Sequence, residues 1–161
     1  LKAMPEPKIL AGTLLGIGFL PKAPGTWGSL VTLPLLYLSW LISPFVGIPA
    51  FFLLSVALSL WSADACSDRF GDDPPELVMD ECAGQAIVFV PFALLYSSFP
   101  DLTFLFTGFF LFRVFDILKP FGVDRLQKLP GKFGILSDDL LAGLYAMIST
   151  ELILRLAATL F

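Results

Sequence analysis

Apolar residues run through this chain in continuous stretches and not in alternation. Ser29–Ile42, Pro49–Ala65, Cys82–Ser97, Thr103–Leu118 and Leu140–Leu160 carry few charges and are separated by short strings rich in proline, glycine or charge. Such runs predict membrane-spanning helices. They exclude the strands of a transmembrane barrel, whose lipid-facing and lumen-facing residues alternate. The last run is the longest, and at about 1.5 Å per residue it can cross the hydrocarbon. Ile9–Leu20 is also apolar, but it is short and interrupted by Gly12, Gly16 and Gly18. It predicts a re-entrant or interfacial helix. The expected fold is all-α: a polytopic membrane helical bundle of about five spans plus that N-terminal helix. With no repeat, low-complexity tract or linker, residues 1–161 form one domain.

Composition agrees with a bilayer as the solvent. Of 161 residues, 57% are hydrophobic and only 15% charged, where soluble domains run nearer a quarter charged. Mean hydropathy is +0.84. The net charge of −4 and the lack of basic clusters exclude nucleic acid as a partner. Cys66 and Cys82 lack the neighbours that a zinc site needs, and nothing marks them as a disulfide. Lys2 and Lys8 flank prolines, so no cleavable signal peptide is expected. There is no histidine, which removes every His nucleophile, base and metal ligand.

The basic residues orient the chain. Lys22, Arg69 and the group Lys119, Arg125, Lys128 and Lys132 fall in alternate connections, whereas the loops near 43–48 and 97–102 hold no Lys or Arg. The positive-inside rule then predicts residues 21–28, 66–81 and 119–138 on the cytoplasmic side. The C-terminus falls outside, with Arg155 within snorkelling reach of the interface. The acidic string Asp64, Asp68, Asp72, Asp73 and Glu76 reads as a solvated loop.

This orientation collects the unusual polar residues on one face. Asp80-Glu81 precede the third run, Arg113, Asp116 and Lys119 occupy the end of the fourth, and Asp138-Asp139 open the fifth. Either acidic pair, taken alone, is explained by helix capping or by the helix dipole. Arg113 and Asp116, three residues apart, also make a simple ion pair. Capping at two places on one membrane face, beside a third acid within a span, is a weaker explanation of the whole set. Oxygen ligands without His or Cys suit Mg²⁺, with Asp80, Glu81, Asp116, Asp138 and Asp139 as candidate ligands. Arg113 and Lys119 suit phosphate oxygens. Pro24-Gly25-Thr26-Trp27-Gly28-Ser29, with Lys22 before it, can form a phosphate nest using Lys22, Thr26 and Ser29 as donors. An interfacial loop anchored by Trp27 explains the same string. Acids for a metal and cations for phosphate at one interface point to phosphoryl chemistry on a lipid headgroup.

With these strings in hand, the chain resembles the phosphatidylglycerophosphatase A family over about residues 10–160. The matching elements are Pro24 to Ser29; Asp80-Glu81 with Gly84; Phe112-Arg113 with Asp116 and Lys119-Pro120; and Gly134-Ile135 with Asp138-Asp139 and Ala142-Gly143. Met79 stands where the family often has Trp or another large residue. The resemblance implies a Mg²⁺-dependent phosphatase of the bacterial cytoplasmic (inner) membrane, multi-pass, converting phosphatidylglycerophosphate to phosphatidylglycerol. Physical argument then assigns catalysis to Asp80, Glu81, Asp116 and Asp139, with attack by water or, alternatively, by an aspartate. There is no Cys-x5-Arg and no Asp-x-Asp, so phosphocysteine and haloacid-dehalogenase routes are disfavoured. A lipid headgroup transferase, a small transporter and a structural subunit are the competing classes. No inverted repeat or midplane acid supports a transporter.

Overall fold

The computed structural model describes residues 6–96 and 99–160. Lys2 lies outside them, as do Ser97, the end of the third predicted span, and Ser98 in the loop after it. All regular elements among the described residues are helical, as a bilayer demands of an open chain that must satisfy its own backbone hydrogen bonds.

The first helix, α1 (Pro7–Gly12), is short. The predicted single helix over Ile9–Leu20 is not formed, because the backbone turns through positive φ at Leu14, Leu15 and Gly16 and continues as a 3-10 turn. Helix α2 (Pro24–Ile42) starts on a proline, whose missing N–H is no loss in a first turn. Helix α3 (Gly47–Phe70) ends at Gly71 with φ 107°. The third predicted span divides into α4 (Met79–Ile87) and α5 (Val90–Leu95), where Pro91 cannot extend the ladder from α4. Helix α6 (Leu102–Leu118) is capped by Asp101, whose carboxylate accepts from the Phe104 N–H at 2.8 Å. It stops at Lys119, in the left-handed region just before Pro120. A four-residue helix, α7 (Val123–Leu126), leads to α8 (Lys132–Leu160).

Three helices, α2, α3 and α8, are long and apolar enough to cross a membrane. Their outward faces are apolar, with Leu41, Leu53 and Ile153 exposed, as lipid contact requires. Helix α4 lies inside the bundle. It packs on α8, α3 and α2, and Met79, Asp80, Cys82, Ala83, Gly84, Gln85 and Ala86 are all buried. Phe89 and Phe112 fill the largest apolar cluster beside it, and Ile9, Leu77, Met79 and Ile135 form a second one around its start. Buried hydroxyls at Ser29, Thr32, Ser55 and Ser62 donate to the carbonyl one turn earlier. They are thus satisfied without water.

Close approach brings α4 to its neighbours. A Cβ on Gly84 would stand 2.7 Å from the Asp139 carbonyl oxygen and from Phe112, and one on Gly143 would run into the Gly84 carbonyl. With little hydrophobic force between helices in lipid, small residues and van der Waals contact hold such a crossing together. The crossing sets Asp80 and Glu81 against Asp139.

Candidate active site

A polar cavity of about 270 Å³ opens where α4, α6 and α8 meet the 71–78 connection. Asp80, Glu81, Asp116, Asp138, Asp139 and Lys119 line it, with Leu77, Ile117 and Ile135 as apolar wall and Asp73 to Pro75 at the mouth. All five carboxylates singled out from the sequence therefore converge.

Neither acidic pair serves as a cap. Asp80 and Glu81 stand in the first turn of α4, but the residue before that turn is Val78 and no side chain caps it. Helix α8 begins at Lys132, so Asp138 and Asp139 lie well inside it, and both are buried. Pro130-Gly131 set that start, not the charges. Asp80, Glu81 and Asp139 each present a carboxylate oxygen within 4.8 Å of the other two. Asp80 Oδ1, Glu81 Oε2 and Asp138 Oδ1 are buried with no hydrogen-bond partner among the described residues. Buried unpaired oxygens of this kind are costly unless something else satisfies them. Three such carboxylates without His or Cys fit a hard divalent cation.

The cations are held by the remaining acids. Arg113 Nη1 is 3.0 Å from Asp116 Oδ2 and donates to Ser29 Oγ at 3.2 Å. Lys119 Nζ meets Asp138 Oδ2 at 2.6 Å. The Arg113–Asp116 pair was one of the simpler explanations open to the sequence. The Lys119–Asp138 pair was not foreseen, because it joins the end of α6 to α8. Gly25, at the start of α2, abuts the Glu81 carboxylate and the Arg113 guanidinium, where a Cβ would not fit. The glycine string thus meets a carboxylate of the protein itself. Ser29 reaches the site through Arg113, whereas Lys22 and Thr26 do not line the cavity, and Lys22 is exposed.

Burial pulls Lys119, just past the end of α6, down, but its hydrogen bond to Asp138 together with the charges of Asp138, Asp116 and Asp139 outweighs this and holds the ammonium above its ordinary value.

One feature escaped the sequence. Gln85, one turn beyond Glu81, is fully buried with both amide atoms unpartnered among the described residues; a lone amide in an apolar run was its only signal. Cys66 and Cys82 are both buried.

Residues 10–154 match the sequence profile described as Phosphatidylglycerophosphatase A. The chain belongs to that family. It is therefore a phosphatase enzyme. Family relatives include the phosphatidylglycerophosphatase A of Haemophilus influenzae, 34% identical over 83% of this chain and 80% of the relative. That of Escherichia coli is 28% identical over 87% and 79%. A Bacteroides thetaiotaomicron protein provisionally named a phosphatidylinositol-3-phosphatase is 33% identical over 87% of this chain and 89% of its own length. No solved structure matches the chain.

Proposed function

We propose that this phosphatase hydrolyses the terminal phosphomonoester of phosphatidylglycerophosphate, releasing phosphate and leaving phosphatidylglycerol in the membrane. The observation that carries this reading is the convergence of Asp80, Glu81 and Asp139 on one polar cavity that Lys119 also lines, with Arg113 paired to Asp116 of its wall. Family membership supports the choice of lipid. The protein crosses the bacterial cytoplasmic membrane five times, α4 with α5 and α6 making the third and fourth crossings, with α1 at the interface. The cavity opens to the cytoplasm, beside the basic connections.

Asp80, Glu81 and Asp139 would hold Mg²⁺, while Asp116 and Asp138, which line the same cavity, pair with Arg113 and Lys119. When bound, Mg²⁺ supplies Lewis-acid activation of phosphate and water. The other work falls to this chain's side chains. Arg113 and Lys119 neutralise charge developing on the phosphoryl oxygens. Asp116 and Ser29 fix the plane of the Arg113 guanidinium, and Asp138 fixes Lys119. A carboxylate not engaged with the cation takes the proton from the attacking water. The buried, partly apolar wall limits bulk water around the reacting phosphate.

Phosphate release by the purified protein, measured over a panel of lipid phosphomonoesters that includes phosphatidylinositol 3-phosphate, tests the substrate. Phosphatidylglycerophosphate should be preferred. A stronger rate on the phosphoinositide would transfer the assignment to the chemistry named for the Bacteroides relative. Asp80→Asn and Asp139→Asn should each lower kcat by at least about a hundredfold, with the helical circular dichroism unchanged. Near-wild-type turnover in both would remove these acids from the site.

A further inference from the structure

The connection between α6 and α8 carries a surface that the phosphatase site does not use. Phe121 is 85% exposed, Phe133 59% and Leu129 45%, and they follow directly on Ile117 and Leu118, whose exposed faces end α6. This connection is not a loose loop. Val123 is buried in the main core, Tyr145 Oη donates to the Phe121 carbonyl at 2.9 Å, and Gln127 Nε2 donates to Asp73 at 2.7 Å. Phe121 is held at φ 53°, a conformation that non-glycine residues seldom adopt. A segment anchored this firmly nonetheless turns three large apolar side chains outward.

Its charge is as distinctive. Residues 120–133 hold Arg125, Lys128 and Lys132 against the single acid Asp124. Lys132 is committed to Asp64 at 2.9 Å. Lys128 has only a 3.9 Å approach to Asp124, with both side chains well exposed. Arg125 is exposed and forms no ion pair among the described residues. Cations interleaved with outward aromatic and aliphatic residues, at the end of a lipid-facing helix, match the chemistry of an anionic bilayer interface.

We propose that residues 120–133 form a strap seated on anionic phospholipid headgroups at the rim of the carboxylate cavity. Phe121, Leu129 and Phe133 enter the acyl boundary, and Arg125 and Lys128 lie against headgroup phosphates. A cavity rich in carboxylates repels anionic lipid, and the strap offsets that repulsion where the lipid approaches. The assignment needs only the membrane setting, so it stands or falls independently of the substrate.

The test uses the full protein with Leu129→Cys carrying an environment-sensitive fluorophore, since the native cysteines are buried. It is reconstituted in phosphatidylcholine vesicles with or without about 30 mol% phosphatidylglycerol, enough to make the surface anionic. An Asp72→Cys label, at an exposed position of the 71–78 connection, is the aqueous control. With phosphatidylglycerol, the Leu129 label should be shielded from aqueous iodide and quenched by lipids spin-labelled near the headgroup. Adding Arg125→Gln and Lys128→Gln should cut the shielded fraction on the order of tenfold, and high salt should act in the same direction. Shielding that is equal in both vesicles, or indifferent to the two substitutions, would overturn headgroup recognition. A label open to iodide in every vesicle would also overturn it and leave the face to a protein partner.

Discussion

Neither Arg113 nor Lys119 is a free cation: Arg113 is engaged by Asp116 and Ser29 and Lys119 by Asp138, so in the proposed reaction an arriving phosphate would meet donors whose directions are already fixed. Arg113 engages both partners through Nη1, which fixes the plane of the remaining guanidinium donors; a lysine ammonium has a single nitrogen and no such fork. Arg113→Lys should lower kcat/KM by about tenfold or more despite the retained charge. Steady-state kinetics on the lipid substrate read this directly, and equal efficiency would count against a role in phosphate binding.

At the scale of elements, the site depends on how closely α4 and α8 approach. Gly84 and Gly143 allow the two backbones to touch, and that contact sets Asp139 beside Asp80 and Glu81. Gly143→Ala would force the Gly84 carbonyl aside. It should cost about 1–3 kcal/mol of stability and reduce turnover, although residue 143 carries no functional group. Thermal unfolding in detergent alongside the activity assay checks both. The element boundaries also show what pattern reading captures. Charged residues at the edges of apolar runs were legible as a functional set because ionised groups in such places need a reason. The start of α8 was not legible. Asp138 and Asp139 read as the opening of the fifth span, whereas the helix begins upstream at Lys132, after Pro130-Gly131, and carries both acids into the bundle. The division of the third run into α4 and α5 was signalled only by Pro91, which a transmembrane helix often tolerates. The turn at Leu14–Gly16 had its glycine as a cue, but the left-handed leucines had none.

Across the whole molecule, the bilayer, the site and the proposed metal are linked. The acids converge only because three separate helices enclose α4, and nothing in residue order foretells which of their faces meet. Pairings such as Lys119 with Asp138 or Arg113 with Ser29 are therefore tertiary facts. If Mg²⁺ binds Asp80, Glu81 and Asp139 and satisfies the unpartnered oxygens of the first two, its removal affects more than turnover. EDTA should abolish phosphate release, and Mg²⁺ should restore it. The unfolding temperature should rise with Mg²⁺ concentration, because an ion bound to the folded state alone stabilises it by mass action. An activity indifferent to chelation would exclude the cation. The position of α4 in the chain has a consequence for biogenesis. Asp80 and Glu81 leave the ribosome well before α8, the helix that brings Asp139 and covers the exposed flank of α4. Until α8 follows, the pocket lacks Asp138 and Asp139 and the flank of α4 that α8 covers stays open.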